Sequence, residues 1–263
     1  MAEVPPFQVL TYAVSDHVCT LTMNRPEKRN SLNTLLINEL IYALETARDD
    51  EAVRAIVLTG AGGAFCSGAD LSQMGSGGTD ESEIPFRGGF IELNLALRDV
   101  GKPVIARVER YALAGALALI CGSTFVIAED NATFGAPEID RGIFPMMVMA
   151  SLFRTVPRRQ GLEFILSGDK ITAQAAADMG LISRAVPADQ LDAEVDTLAR
   201  KLASKAPAAI RLGMNAFHRQ SELSFEDALP YLQEALMTCL GTEDAQEGVM
   251  AFLQKRDPVW TGR

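Results

Sequence analysis

The pattern of hydrophobic and polar positions along this chain changes from an alternating one to an almost wholly helical one. Two β-rich runs, residues 7–13 and 18–23, flank Ser15-Asp16 and predict an opening hairpin. The next apolar residues recur at the spacing of one helix face: Leu35, Leu36, Leu40, Ile41 and Leu44. We therefore predict a helix there, with Asn33 or Thr34 as its N-cap.

Short apolar runs and helical patterns then alternate up to about residue 157. Runs at 53–59 and 103–108 predict buried strands, and a helix is predicted over 86–100 between them. The uncharged stretch from Tyr111 to Ala128 predicts a buried helix followed by a buried strand and not a membrane span, because glycines interrupt it. This alternation predicts an α/β fold with a mainly parallel sheet.

Helical patterns dominate from Arg158 onward. They cover residues 158–166, 173–179, 189–204, 208–218, 225–239 and 243–254. We predict a core in residues 1–190 and a C-terminal helical appendage in residues 191–263.

Composition supports a large folded core in this acidic chain. The 263 residues are 48% hydrophobic, and the net charge of -10 opposes general binding to nucleic acid or to an anionic membrane. The four cysteines, at positions 19, 66, 121 and 239, show no paired spacing, so we expect reduced thiols in the cytoplasm. The first residues lack the basic and apolar regions of a secretory signal.

The predicted strand at 53–59 leads into a glycine-rich loop, residues 60–71, of the kind that lets a backbone approach a ligand closely. A dinucleotide-binding fingerprint fails there because Phe65 occupies the third glycine position. Residues 73–83 are a candidate lid. The only histidines are His17, in the predicted opening hairpin, and His218, late in a predicted helix; both fit a structural or exposed role, so no metal site is predicted.

The candidate chemistry of the chain lies in backbone amides and one carboxylate. Loops of small residues around Ala69 and Gly115 offer N–H groups that would stabilise an oxyanion if they converged on a carbonyl oxygen. Glu138 lies between Pro137 and Ile139, in an apolar neighbourhood that raises a carboxyl pKa and suits a general base. Local sequence alone also fits a solvated turn residue at this position.

Several motifs, in order along nearly the whole chain, resemble the crotonase, or enoyl-CoA hydratase/isomerase, family. The segments that carry the resemblance are residues 24–26, 30–33, 57–60, 64–71, 102–106, 111–115, 134–138, 142–145 and 251–256. The resemblance implies a crotonase-like core of short strands and helices, a spiral of ββα type, assembled as a homotrimer or a dimer of trimers. It implies an acyl-CoA thioester as substrate, with no metal and no cofactor beyond the coenzyme A of the substrate.

The resemblance also assigns roles to single residues. It implies that the amides of Ala69 and Gly115 form the oxyanion hole and that Glu138 is catalytic. It implies a coenzyme A surface made of Lys28, Arg29, Ser67, Gly68, Ala69, Asp70, Leu71, Phe252 and Lys255, with residues 191–263 assembling subunits and closing over coenzyme A. For Phe252 and Lys255, a core aromatic and a solvated lysine are equally good interpretations.

The departures from the family pattern bear on the reaction. Hydratases of this family carry two glutamates, and the first of them falls here on Ala118. One base suffices to shift a double bond, so we predict an enoyl-CoA isomerase that uses Glu138. The alternatives are an enoyl-CoA hydratase of reduced or altered efficiency and a non-catalytic acyl-CoA-binding protein. Ala118, Met146 and Met147 are predicted to line the acyl pocket, although core packing would also explain the methionines.

Overall fold

A computed structural model describes residues 5–70 and 83–263 of the chain. The strands in these ranges are β1 Leu10–Ser15, β2 Val18–Met23, β3 Ala55–Gly60, β4 Val104–Val108, β5 Tyr111–Leu113, β6 Phe125–Glu129, β7 Thr133–Gly135, β8 Lys170–Thr172 and β9 Arg184–Val186. The helices are α1 Thr34–Asp49, α2 Phe90–Asp99, α3 Ala116–Gly122, α4 Met146–Thr155, α5 Arg158–Ser167, α6 Ala173–Asp178, α7 Leu191–Ala203, α8 Pro207–Gln220, α9 Phe225–Leu240 and α10 Glu243–Gln254.

The larger sheet has six strands in the order β1-β2-β3-β4-β6-β9. The first pair is the predicted antiparallel hairpin, and the other four pairs are parallel, with Leu21 beside Leu58 and Ala106 beside Val126. The predicted α/β class and mainly parallel sheet are therefore confirmed. Asn33 caps α1 as expected, since its side chain accepts a hydrogen bond from Leu36 N at 3.0 Å.

A smaller sheet has the order β5-β7-β8 and corrects one prediction. The uncharged stretch begins with a strand at Tyr111–Leu113 and not with a helix, because these residues pair in parallel with Thr133–Gly135. The helix begins only at Ala116. The strand in the second half of the stretch, β6, is confirmed.

Helices cover both faces of the larger sheet. Strand residues Val57, Ile105 and Ile127 point to one face, where they pack against the apolar side of α7. Neighbouring strand residues point to the other face and share the main core with α1, which includes Leu36 and Leu40. Helix α7 begins at Leu191, the first residue of the predicted C-terminal appendage, and packs directly on the sheet. The division of the chain at residue 190 stays a prediction.

Helices α8, α9 and α10 pack against one another and leave much apolar surface exposed. The buried carboxylate of Asp244 ties this group to the chain end, accepting hydrogen bonds from the amides of Ala208, Thr261 and Gly262 at 2.8 to 3.0 Å. The exposed apolar residues of α9 and α10 include Phe225, Leu229, Leu236, Met237, Leu240, Val249, Met250, Phe252 and Leu253. No helix in the described part of the chain is both long and apolar enough to span a membrane.

Candidate active site

A cleft of about 620 Å³ lies where the loop before residue 71, the start of α3 and the segment 137–148 meet. Ala69, Gly115 and Glu138, which sequence analysis proposed as catalytic, all line it. Phe90, the first residue of α2, also lines the cleft. It was not predicted, because nothing in the local sequence marks it as a cleft residue.

The loop that carries Ala69 is held by backbone hydrogen bonds on both sides. On one side, Leu32 N donates to Gly68 O at 2.8 Å and Asp70 N donates to Leu32 O at 2.9 Å. On the other side, Leu113 N donates to Cys66 O at 3.2 Å. Within the described ranges no acceptor bonds the amide of Ala69, so this N–H is fixed in place and available to a ligand.

Gly115 supplies the second available amide. Ala114 before it adopts a left-handed conformation, φ 53°, and donates its own N–H to Gly135 O at 2.8 Å. This turn brings the chain from β5 into α3, with Gly115 at the N-cap. A methyl group built on Gly115 would lie 3.4 Å from Ala69 N, so the two donors are neighbours in the cleft. Neither is bonded to an acceptor in the part of the chain that the structure describes.

An ion pair between Arg25 and Asp70, which sequence analysis did not predict, holds the residue that follows Ala69. The guanidinium of Arg25 donates to Asp70 Oδ2 at 3.2 Å, and the two side chains are only 9% and 11% exposed. The same guanidinium donates to Ser31 O at 2.5 Å. The pair joins residues 45 positions apart, which no local pattern reveals.

Glu138 is half-buried at the start of the 3-10 turn Ile139–Arg141. Burial raises the pKa of its carboxyl, while its own backbone N–H and the nearby Arg141 guanidinium act in the opposite direction. No residue in the described ranges forms a hydrogen bond with its buried Oε2. A raised pKa and an unpartnered oxygen suit a carboxylate that transfers protons.

The remaining lining of the cleft is mostly apolar, with cations at several points. Met146 and Met147, which sequence analysis assigned to the acyl pocket, line it from the first turn of α4. Val148 of the same turn also lines the cleft and belongs to the core, and Met149 packs against the core. Arg29, Ser67 and Asp70, which the resemblance assigns to coenzyme A binding, line the cleft together with two cations that were not predicted, Arg141 and Lys170.

Other predicted site residues lie elsewhere. Ala118 does not line the cleft: it is 1% exposed, since α3 turns this position into the protein interior. Gly68 is buried and Lys28 is exposed, and neither lines the cleft. Phe252 and Lys255 are exposed at the end of α10, outside the cleft lining.

Two predictions fall on residues that the structure does not describe. Leu71 lies outside the described ranges, and so does the candidate lid at 73–83 except for Glu83. In the described ranges, no three histidine, cysteine, aspartate or glutamate residues are grouped as a metal site.

The geometry of the cleft suits one kind of chemistry. Two neighbouring amide donors would polarise a carbonyl group, and a carboxylate of raised pKa in the same cleft would move a proton on the carbons next to it.

Comparison with known proteins gives one consistent result. The sequence profile of the family described as enoyl-CoA hydratase/isomerase matches residues 13–263. The 2,3-dehydroadipyl-CoA hydratase of Escherichia coli K12 is 36% identical over 249 residues, which cover 94% of this chain and 96% of that protein. A crystal structure of enoyl-CoA hydratase from Mycobacterium smegmatis has a TM-score of 0.88 at 33% identity and covers 96% of this chain and 99% of its own. Human enoyl-CoA hydratase domain-containing protein 3 has the same TM-score at 30% identity, covering 96% and 100%.

Proposed function

The chain belongs to the enoyl-CoA hydratase/isomerase family, and from this premise we propose that it shifts a double bond in an enoyl-CoA thioester. The proposal rests on one observation, that Glu138 is the available carboxylate in the described lining of the cleft. Asp70 also lines the cleft, but it is engaged by Arg25. The position at which hydratases carry a further glutamate is Ala118, which has no carboxyl group.

The proposed reaction needs one base and an oxyanion hole. The thioester carbonyl oxygen accepts hydrogen bonds from the amides of Ala69 and Gly115. The carboxylate of Glu138 removes a proton from C2 of a 3-enoyl thioester, and the electron pair moves through the double bond into a dienolate whose negative charge the amides stabilise. The carboxyl group then returns the proton to C4, which leaves a 2-enoyl thioester and restores the carboxylate.

The same proposal assigns the binding of coenzyme A to one side of the cleft. Arg29, Ser67 and Asp70 line the cleft around Ala69, where the thioester would lie, and this placement supports a role in binding the coenzyme. Met146 and Met147 would contact the acyl chain. We propose no metal and no cofactor beyond the coenzyme A of the substrate itself.

The decisive experiment compares two substrates with two variants. The wild-type chain should convert 3-hexenoyl-CoA to 2-hexenoyl-CoA, and Glu138→Gln should lower that turnover by about 10²-fold or more, because an amide cannot carry the proton. Glu163→Gln, a similar change on the exposed surface of α5, serves as the control and should leave turnover unchanged. Isomerisation that survives Glu138→Gln would exclude the mechanism.

Hydration is the second candidate function, because the relatives named above are called hydratases. Water addition to 2-hexenoyl-CoA should be slow compared with isomerisation if one carboxylate has to do the work of two. Hydration faster than isomerisation would reverse the assignment. Affinity for both thioesters without turnover of either would instead support an acyl-CoA-binding protein.

We further propose that the chain is a homotrimer or a dimer of trimers located in the cytoplasm. The exposed apolar face of α9 and α10 supports the assembly, because a monomer seldom leaves so many large apolar residues in water. Phe252 and Lys255, which do not line the cleft of their own chain, would then lie near coenzyme A bound to another subunit. Sedimentation equilibrium tests the proposal, and a mass of 28.3 kDa at micromolar concentration would contradict it.

A further inference from the structure

Arg141 is held in the cleft by the turn that presents Glu138. The amide of Arg141 donates to Glu138 O at 3.0 Å, which closes the 3-10 turn, and one guanidinium nitrogen, Nη1, donates to Pro137 O at 2.9 Å. Arg141, an exposed residue, lines the same cleft as Glu138, the proposed base, and Met146, which the proposed function assigns to the acyl chain. A cation is therefore available to a substrate in this cleft.

The guanidinium has unused hydrogen-bonding capacity. An arginine has five N–H donors, and Pro137 O occupies one nitrogen of the group. In the described part of the chain, no carboxylate lies within ion-pair distance of Arg141. The bond to Pro137 restrains the orientation of the planar group, which leaves its other nitrogens able to face a ligand. Such a fork matches the two oxygens of a carboxylate.

The free-energy cost of removing water from the Arg141 guanidinium favours an anionic ligand. If an apolar acyl chain filled the cleft, it would remove water from Arg141 without replacing the lost hydrogen bonds, which is unfavourable. The neighbouring Glu138 is not a suitable partner, because an ion pair with Arg141 would oppose the role of its carboxylate as a base. A carboxylate on the substrate would satisfy the guanidinium and leave Glu138 free.

We propose that Arg141 forms an anion subsite for a carboxylate at the far end of the acyl group, so that the substrates are enoyl-CoA thioesters of dicarboxylic acids. The inference rests on the proposed function, since it takes the direction of the acyl group from it. The phosphates of coenzyme A are the other source of negative charge. Arg29, which also lines the cleft and whose carbonyl accepts a hydrogen bond from Ser67 N at 3.1 Å, is the cation that the proposed function assigns to the coenzyme.

A binding experiment with unreactive thioesters tests the subsite. Adipoyl-CoA and hexanoyl-CoA have six-carbon acyl groups and differ in one terminal carboxylate, and neither has a double bond to shift. By titration calorimetry the wild-type chain should bind adipoyl-CoA about tenfold or more tightly, the ratio expected of a charge-assisted pair. Arg141→Met should bring the ratio close to one, and Arg141→Lys should restore part of it. Arg200→Met, an exposed arginine on α7, should leave it unchanged.

The outcomes separate the two sources of charge and the two proposals. If Arg141 binds a coenzyme A phosphate, Arg141→Met will weaken both thioesters by the same factor and keep their ratio, which overturns the inference. A wild-type ratio near one also overturns it. Adipoyl and hexanoyl thioesters of N-acetylcysteamine, which lack the nucleotide, should keep the preference. Preference for adipoyl-CoA without any isomerisation would refute the proposed reaction and leave the subsite standing. Failure to bind either coenzyme A thioester would refute both.

Discussion

The substitution Gly115→Ala tests the oxyanion hole by adding one methyl group. The backbone of Gly115 has φ -54° and ψ -20°, a conformation open to alanine, so the change introduces no backbone strain. The new methyl would lie 3.4 Å from Ala69 N, 3.7 Å from the ring of Phe90 and 3.9 Å from Ala69 Cβ, all ordinary contact distances. We therefore expect the free energy of unfolding to change by no more than about 1 kcal/mol.

The effect on catalysis follows from the same distances. A carbonyl oxygen bound to the amide of Ala69 has to lie about 2.7 to 3.1 Å from that nitrogen. A methyl carbon 3.4 Å from the nitrogen would compete for space with an oxygen at that distance, so we expect the oxygen to lose this donor. Loss of one donor costs a factor of about 10² to 10³ in kcat, or about 2.7 to 4 kcal/mol of transition-state stabilisation.

The assay measures kcat and KM for 3-hexenoyl-CoA together with urea unfolding of each variant. Gly213→Ala, in α8 with no atom within 4 Å of the added methyl, should keep full activity. Gly68→Ala, at φ +97° and with its methyl 2.6 Å from Ala114 Cβ, should instead lower the free energy of unfolding. The reasoning would be refuted if Gly115→Ala folded normally and kept a kcat within about threefold of wild type.

Three further predictions concern charged groups. Arg25→Met should lower the free energy of unfolding by about 3 kcal/mol, because it leaves Asp70 in a largely buried site without its cation. The control Arg48→Met removes the cation of an exposed ion pair and should lower the free energy of unfolding by at most about 1 kcal/mol. Equal losses for the two variants in urea titrations would contradict this prediction. Burial raises the pKa of Glu138, so the apparent pKa of the acid limb in the pH profile of kcat/KM should be higher than the pKa of a free glutamate. An apparent pKa in the range of a free glutamate would argue against Glu138 as the base. Burial lowers the pKa of Lys102 to about 8, so this group makes the unfolded chain bind more protons between that value and about 10.4. The free energy of unfolding of the wild type should therefore rise relative to that of Lys102→Met across this window, and two pH profiles of equal slope would contradict it.

The sequence was most informative where one local cause decides the structure. Asn33 caps α1 as predicted, because a side-chain oxygen before a helical pattern is a local signal. Tyr111–Leu113 was assigned to a helix because a short apolar run has no period that separates helix from strand, and only pairing with β7 makes it a strand. The strands β8 and β9 have three residues each, too few to show an alternating pattern, and only their pairing with β7 and β6 makes them strands.

The candidate site was predictable to a similar degree. The order of the motifs led to Ala69, Gly115 and Glu138, and these residues meet in one cleft. The placement of Arg141 in the cleft depends on how a 3-10 turn directs one side chain, and the pairing of Arg25 with Asp70 depends on contacts between distant segments. Neither leaves a local pattern in the sequence.

Both proposed donors of the oxyanion hole are main-chain amides, held by the pairing of their loops with neighbouring backbone. No side-chain deletion removes them, so alanine substitutions would reveal the proposed polarising group only where alanine adds a methyl group, as at Gly115. The same property bears on evolution. Substitutions at cleft positions such as Met146 can add or remove acids, bases and charges while the carbonyl-binding element stays intact. A lineage with this fold can therefore change its reaction or its substrate without first losing the ability to stabilise an enolate.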